Sequence, residues 1–370
     1  MNDFNSLSNK KPKKLMKVFM LIKWLHNSGA PKMFMWLANA LAKQGHEVRV
    51  CTYQNQYEGN LSPNVEHVDF TNEHRGFFGR IARIRKEIKV FQADVSISFL
   101  LDANVYSVLA CYGLKTKSVI CERNDPFKPK YYKLKFWKPW FRLADGAVFQ
   151  LPKVATYYNN IKSRTAIIPN PVDRTELEVK KSFTARDDEI VTVGRIDFFQ
   201  KRHDVLVEAF AEFRETHPTY RLTIYGGGED KDVRQLKSMI KQLGVEDAVC
   251  LAGAVANSTE RILNAKMFVL SSDFEGIPNA LIEAMSVGLP CISTDCRPGG
   301  ARLLIENGKN GLVVAPGNAS ALTEKMLYLA ENPDAADSMG REAREISEKF
   351  APEKIIKQWE DYLTALVIPL

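Results

Sequence analysis

Short apolar runs alternate along this chain with longer segments in which apolar residues recur every three or four positions. The short runs are typical of buried strands and the longer segments of amphipathic helices. The first example is a strand over 15–22, a helix over 31–43 and a strand over 47–53. Repeated alternation of this kind predicts parallel sheets with helices on both faces, an α/β fold.

The alternating pattern occurs in two blocks, which we assign to two domains of a 370-residue chain. A single hydrophobic core seldom extends over so many residues. We place the first domain at 16–170 and the second at 171–350, because two prolines around Asn170 make a stiff turn there. Residues 1–15 are predicted to be a basic tail and 351–370 a final amphipathic helix.

The segment SDFEGIPNALIEA, residues 272–284, has the features of an anion site. The apolar run before it predicts a buried strand, and a helix is predicted after Gly276, with Pro278 in its first turn. Free amides at a helix N-terminus beyond a parallel strand bind phosphate. Glu275 and Glu283 would flank that phosphate, so their natural partners are sugar hydroxyls.

The pair Glu275 and Glu283, spaced as Glu-x7-Glu and followed by VGLPCIST, resembles the donor motif of the retaining GT4 glycosyltransferases. The resemblance implies the GT-B fold, in which two Rossmann-like parallel-sheet domains face a central cleft. The first domain would bind the acceptor, the second the nucleotide sugar, and the last helix would cross back to the first domain. The implied reaction is metal-independent transfer from a nucleotide sugar, UDP-linked, to a lipid-linked or cell-surface saccharide, with retention.

The resemblance also assigns roles to residues of this motif. Glu275 becomes the catalytic candidate, since it would hold hydroxyls near the reacting carbon, and Glu283 would accept the ribose hydroxyls. The remaining donor-binding residues of the motif are Phe274, Gly276, Ile277, Pro278 and Asn279.

Two cations and a glycine complete the predicted donor site. Arg195 follows Gly194 at a predicted strand end and Lys201 comes six residues later, and by the resemblance both bind the donor diphosphate. Gly29 would donate an amide from the first domain. Ala30 departs from the family, in which two glycines are common at this point.

Acceptor contacts are predicted in the first domain, where charged residues follow predicted strand ends. The candidates are Asp102, Glu122, Arg123 and Asp125. For each of these residues, a purely structural role is as well supported as an acceptor contact. No catalytic base is assigned.

Metal and cofactor chemistry is not expected. The six cysteines lie mostly in apolar runs without Cys-x-x-Cys pairs, and the six histidines show no His-x-x-x-His spacing. Asp230-Lys231-Asp232 fits the Asp-x-Asp pattern of metal-using glycosyltransferases. It opens a predicted helix, however, and the helix dipole explains the acids there.

The net charge of +7 is unevenly distributed. Residues 1–170 carry 27 Lys/Arg against 12 Asp/Glu, whereas 171–370 carry 24 against 32. Residues 127–142 interleave six cations with seven aromatics, and residues 74–92 predict a basic helix with an apolar isoleucine stripe. The segment 127–142 favours contact with an anionic membrane surface, although a solvated basic helix with core aromatics is the alternative.

No apolar run approaches the length of a membrane-spanning helix, and the cysteines are typical of the reduced thiols of a cytosolic protein. With the basic first half, this leads us to expect a cytoplasmic protein peripheral at the inner face of the membrane. Two other functions stay open. A nucleotide-sugar epimerase or phosphorylase of the same architecture would use a similar site. A basic nucleic-acid-binding protein would explain the charge of the first half but would leave Glu-x7-Glu without a role, and we expect no nucleic-acid partner.

Overall fold

The structure is a computed structural model that describes residues 14–25, 29–54, 59–71, 73, 76–123, 126, 136–158, 161, 164–172, 177–255 and 257–368. These residues form one sheet of seven strands and one of six. Every strand pairing in both sheets is parallel. The predicted α/β class is therefore confirmed.

The first sheet has the strand order β3-β2-β1-β4-β5-β6-β7. Helices cover it, and β4 is accordingly buried at all five of its positions. The strand order reverses between β1 and β4, and ligands of open α/β sheets bind at such a point. The strands are β1 (Lys17–Leu21), β2 (Glu47–Thr52), β3 (Val65–Asp69), β4 (Val95–Phe99), β5 (Lys117–Glu122), β6 (Gly146–Phe149) and β7 (Arg164–Ile167).

The helices of the first domain bury apolar side chains against the sheet. In the first of them, Phe34, Leu37 and Leu41 recur at helical spacing and are buried. A 3-10 helix, Lys138–Leu143, precedes β6. The α-helices are α1 (Gly29–Lys43), α2 (Phe77–Phe91), α3 (Leu101–Cys111) and α4 (Pro152–Tyr157).

The second sheet has the strand order β10-β9-β8-β11-β12-β13. A single turn of 3-10 helix, Phe183–Ala185, leads into it. Its strands are β8 (Asp187–Val193), β9 (Arg221–Tyr225), β10 (Val249–Gly253), β11 (Ala265–Leu270), β12 (Cys291–Thr294) and β13 (Leu312–Val314). Its helices are α5 (His203–Arg214), α6 (Asp230–Gln242), α7 (Ser258–Arg261), α8 (Asn279–Ser286), α9 (Gly300–Leu304), α10 (Ala319–Glu331), α11 (Pro333–Ala343) and α12 (Ile346–Lys349).

The last helix, α13 (Pro352–Val367), returns to the first domain as predicted. The Tyr362 hydroxyl donates a hydrogen bond to the backbone oxygen of Arg164 at 3.0 Å, and Trp359 is 1% exposed. This helix thus fastens the end of the chain to the first sheet. None of the helices in the described part of the chain is both long and apolar enough to cross a bilayer.

Three local expectations differ from the structure. Strand β3 was not predicted, because only one of its five residues is buried and its apolar signal is weak. The sequence pattern over 334–348 predicts a single helix, which the structure divides into α11 and α12. The sequence predicts a short helix bracketed by Pro129 and Pro139. Pro139 instead lies in the first turn of the 3-10 helix, because proline lacks the amide that a first turn leaves unused. Residues 127–135 lie outside the described residues.

Candidate active site

A cleft of about 950 Å³ lies between the two sheets, and residues directly after several strands line it. Arg123 follows β5 and Gln150 follows β6, whereas Gly194 follows β8 of the second domain. The carboxyl edges of both sheets therefore meet at the cleft, where α/β folds bind ligands. Ten predicted site residues line it, namely Gly29, Arg123, Arg195, Lys201, Phe274, Glu275, Gly276, Ile277, Asn279 and Glu283.

Four predicted site residues are not part of that lining. Pro278 is buried directly before α8, which begins at Asn279 and not directly after Gly276, so Pro278 occupies the N-cap position of the helix instead of lying in its first turn. Glu122 is the last residue of β5 and not beyond it, and it is 1% exposed because β5 is an interior strand. Asp102 lies in the first turn of α3, 3.9 Å from Lys23 Nζ. Asp125 lies outside the described residues.

Asp197 organises the loop that carries the two predicted diphosphate-binding cations. Its Oδ1 accepts hydrogen bonds from the amides of Phe199 and Gln200 at 2.8 and 2.9 Å. Its Oδ2 accepts one from Arg195 Nη2 at 2.6 Å. Burial raises the pKa of Asp197, but these hydrogen bonds outweigh burial and lower it below its usual value. Asp197 is therefore ionised at neutral pH and holds Arg195 beside the cleft.

Lys201 and Glu275 form a direct ion pair inside the cleft. Lys201 Nζ lies 2.5 Å from Glu275 Oε1, and the side chains are 18% and 11% exposed. Ser272 Oγ donates to the same oxygen at 3.0 Å, and Gln200 Nε2 donates to the other oxygen at 3.4 Å. The resemblance assigns Lys201 to the diphosphate and Glu275 to the sugar hydroxyls, whereas in the structure the two side chains pair with each other. An ammonium group has three donors, so Lys201 can hold Glu275 and a phosphate oxygen together.

The titratable groups His203 and Cys296, close to this ion pair, are neutral near pH 7. Burial, with the charge of Lys201 as a second cause, lowers the pKa of His203 to about 4. Burial, with the charge of Glu275 as a second cause, raises the pKa of the Cys296 thiol to about 12. Neither group therefore adds a charge that competes with the pair.

The backbone of the donor loop, which we define as residues 272–278, is enclosed on two sides. A Cβ atom on Gly300 would clash with the backbone oxygen of Gly276. A Cβ atom on Gly276 would lie 3.1 Å from the backbone oxygen of Arg123 in the first domain. Position 300 therefore requires glycine because two backbones approach each other there. The sequence indicated only a loop around Gly300.

Two helices begin at the cleft, one from each domain. Helix α8 begins at Asn279 and carries Glu283 one turn later, where Ser258 Oγ donates to Glu283 Oε2 at 3.3 Å. Helix α1 begins at Gly29, and Ala30 lines the cleft in its first turn. The alanine therefore leaves this helix start intact. Unpaired amides at such starts favour an anion between the domains.

Comparison with family models identifies the family. Residues 173–346 match the model for glycosyl transferases group 1, and residues 28–176 match the model for glycosyltransferase family 4. The two matches overlap at 173–176, and together they extend over both sheets apart from β1. The chain belongs to the GT4-type glycosyltransferases of the GT-B fold.

Individual relatives agree with this assignment. A Haemophilus influenzae protein named as an uncharacterized glycosyltransferase is 27% identical over 357 residues, covering 90% of this chain and 96% of the relative. A Campylobacter jejuni protein is 26% identical over 361 residues, covering 93% and 97%. Its name is GalNAc-alpha-(1->4)-GalNAc-alpha-(1->3)-diNAcBac-PP-undecaprenol alpha-1,4-N-acetyl-D-galactosaminyltransferase.

Solved structures show the same fold. The crystal structure of Anabaena HepE in complex with UDP and glucose superposes with a TM-score of 0.79 at 19% identity. The superposition covers 95% of this chain and 100% of that one. The GT-B fold implied by the motif is thereby confirmed for this glycosyltransferase.

Sequence reasoning missed several polar side chains of this glycosyltransferase site. They are Gln150, Asn170, Asp197 and Gln200, of which all but Asp197 line the cleft. The position of Gln150 directly after a buried strand is a signal that could have found it. Asn170 was recognised only as a turn residue, because its partners are distant in sequence.

A metal ion could be held by a group of ligating side chains or by the acids of the Asp-x-Asp sequence. Within the ranges that the structure describes, no three His, Cys, Asp or Glu side chains are grouped so that they could hold a metal ion. Asp230 and Asp232 lie in the first turn of α6, where the helix dipole favours acids. Independence from metal stays a prediction for the assays below.

Proposed function

We propose that this glycosyltransferase transfers a sugar from a UDP-sugar to a lipid-linked or cell-surface saccharide, with retention of anomeric configuration. The observation that carries the proposal is the cleft in which Lys201, paired with Glu275, lies beside Arg195 and two helix starts. Cations and amides suit a diphosphate, and carboxylates suit sugar hydroxyls. The undecaprenol-linked substrate in the name of the Campylobacter relative and the UDP in the HepE structure support the substrate classes.

The proposed reaction begins with departure of the diphosphate. Its bond to the anomeric carbon breaks, and Arg195, Lys201 and the helix amides stabilise the charge that develops on it. Glu275, which Lys201, Ser272 and Gln200 hold in place, accepts hydrogen bonds from hydroxyls of the donor sugar. Glu275 keeps the donor sugar in place during this step. The anomeric configuration of the product therefore depends on which face of the anomeric carbon the acceptor attacks.

Retention is proposed to follow from attack on the face that the diphosphate leaves. The acceptor oxygen bonds to the anomeric carbon, and its proton passes to an oxygen of the leaving diphosphate. A double displacement instead needs two carboxylates about 5 Å apart across the reacting bond. Here Glu275 is engaged by Lys201, and Glu283 receives a hydrogen bond from Ser258 on another element.

A panel of UDP-, GDP- and ADP-sugars tests the proposal. With a lipid-diphosphate saccharide acceptor, we expect release of nucleotide from one UDP-sugar, with and without EDTA, and a product whose anomeric proton keeps the donor configuration by NMR. An isomerised nucleotide sugar without acceptor would identify an epimerase. Absence of any nucleotide release across the panel, in protein that binds UDP, would contradict the transferase reaction on these donors.

We also propose that the first domain docks on an anionic bilayer. Trp137 stacks on Phe77 with ring centroids 5.6 Å apart, so the 3-10 helix and the start of α2 lie side by side. Their exposed apolar side chains form what we call the aromatic patch. Its members are Phe78, Phe136, Trp140 and Leu143, exposed by 82%, 74%, 43% and 37%.

The exposed basic residues on the elements that carry this patch fit lipid headgroups. Lys86, Lys89 and Arg142 on the same elements are exposed. By contrast, Ile84 and Ile88 of the predicted apolar stripe are buried in the core. Membrane contact would therefore use the exposed rings beside basic residues, as interfacial segments do, and not the isoleucine stripe.

Removing two rings of the aromatic patch should weaken membrane binding. We expect the Phe78→Ser/Trp140→Ser variant to lose about tenfold or more in partitioning to phosphatidylglycerol vesicles at low salt, because each ring buried in lipid contributes about 1.5–3 kcal/mol. Vesicle sedimentation measures this.

The Tyr328→Ser variant is the matched control, since Tyr328 is 41% exposed but lies in the second domain on α10. It should partition like the wild type. Equal binding of the double variant and the wild type would exclude the aromatic patch as the docking surface, and a gel shift with single-stranded RNA would test the nucleic-acid alternative.

A further inference from the structure

A buried amide, Asn170, connects the two domains at the wall of the cleft. It follows β7 at the end of the first domain and is 5% exposed. Asn170 Oδ1 accepts hydrogen bonds from Arg123 Nη1 at 3.0 Å and from Gln150 Nε2 at 2.5 Å. Asn170 Nδ2 donates to Asn279 Oδ1 at 3.1 Å. Arg123 and Gln150 belong to the first domain, whereas Asn279 belongs to the second.

The orientation of this amide follows from the chemistry of its partners. A guanidinium group only donates hydrogen bonds, so the Asn170 atom that faces Arg123 must be the oxygen. The nitrogen then faces Asn279, which must present its own oxygen. Because each buried polar atom of Asn170 has a partner, the amide favours a single relative placement of the groups it joins.

The same first-domain residues also contact the donor loop. A Cβ atom on Gly276 would lie 3.1 Å from the backbone oxygen of Arg123 and 3.3 Å from Gln150 Oε1. Asn279, three residues later, begins the helix that carries Glu283. The donor loop and the helix start behind it therefore meet the first domain at two neighbouring points, a close contact at Gly276 and a hydrogen bond at Asn279.

We propose that Asn170 is a positioning residue, which holds the donor loop at a set distance from the acceptor side of the cleft. The inference rests on the proposed function, because it assumes that a donor held by the second domain reacts with an acceptor held by the first. Arg195 and Lys201, which would bind the diphosphate, make no hydrogen bond to Asn170 in the described residues. Loss of the amide should therefore lower turnover more than donor affinity, since displacement by about 1 Å can cost 100-fold in rate.

The Asn170→Ala variant tests this role. We expect kcat to fall about tenfold or more while the Kd for UDP, measured by calorimetry, stays within about twofold of the wild type. Amide hydrogen exchange in residues 274–282 should become faster, because Asn279, directly after the donor loop, loses its hydrogen bond to the first domain. The exchange readout requires no donor sugar.

The Asn170→Asp variant should recover most of the lost turnover. Its carboxylate still accepts from Arg123 and Gln150, and the Asn279 amide can turn to donate to the second oxygen. If Asn170 served only to pack the core, the alanine and aspartate variants would differ in stability but not in kcat. Recovery of kcat by aspartate alone therefore indicates that the hydrogen bonds of residue 170 matter.

The matched control is Asn104→Ala. Asn104 is 0% exposed and bonds to Ser98 Oγ and the backbone oxygen of Cys121, all within the first domain. It should lower the melting temperature but leave kcat and exchange in 274–282 unchanged. If Asn170→Ala does not fold, Asn170→Ser takes its place.

Unchanged exchange in 274–282 on loss of Asn170 overturns the inference, as does a UDP affinity that falls in parallel with kcat. Faster exchange in a protein that uses no sugar donor would instead count against the proposed function and leave the connection between the domains supported. The two failures are therefore distinguishable.

Discussion

The Lys201→Ala variant should lose about two to three orders of magnitude in kcat/KM for the donor. The substitution removes a cation from the leaving diphosphate, and it leaves Glu275, which is 11% exposed, without its ion-pair partner. The unpaired carboxylate would then repel the phosphates. We therefore expect UDP affinity and turnover to fall together, as measured by calorimetry and by nucleotide release.

A control for the loss of a buried ion pair is available in the same domain. Lys266 is 12% exposed and pairs with Asp188 away from the cleft lining. Lys266→Ala should lower the melting temperature without changing kcat/KM. If Lys201→Ala stayed within about threefold of the wild type, the assignment of Lys201 to the diphosphate would be wrong.

The Glu275→Gln variant should separate binding from turnover. It removes the negative charge that competes with the diphosphate for Lys201. UDP should therefore bind the variant at least as tightly as it binds the wild type. Turnover should still fall about 100-fold, because the charged acceptor for the hydroxyls of the donor sugar is lost. Calorimetry with UDP and steady-state assays with the active donor measure the two quantities.

Glu189→Gln serves as the matched control for that change. Glu189 accepts a hydrogen bond from Thr223 Oγ1 at 2.5 Å and lies in β8 toward its start, away from the cleft. Its kinetic constants should match those of the wild type. A Glu275→Gln protein with unchanged turnover, or one that lost UDP affinity, would contradict the role assigned to Glu275.

The parts of the fold that the sequence predicted are those with strong local patterns. The apolar run 95–99 predicts a strand and coincides with β4, which is buried at every position. The edge strand β3 has one buried residue and was missed. The predicted boundary at residue 170 falls between β7 and β8. Hydrophobic periodicity reports burial within one element, so an element that is barely buried leaves little signal.

Predictions about the site followed the same division. The motif around Glu275 and Glu283 located the donor loop and the helix behind it, and these line the cleft. Glu122 was expected beyond a strand end, but it forms the buried end of β5. Strand bounds read from sequence are uncertain by a few residues, and such an error decides whether a side chain faces solvent or the core.

Local patterns alone were sufficient to identify the α/β class, the two domains and the family to which the motif belongs, because each depends on residues that are close in the chain. The pairing of Lys201 with Glu275 and the hydrogen bond between Asn170 and Asn279 join residues 74 and 109 positions apart. These contacts depend on how two separately predicted edges face each other. Only the packing of the two domains brings these sheet edges together, because the conformational preferences of short segments do not specify the distance between residues far apart in the chain.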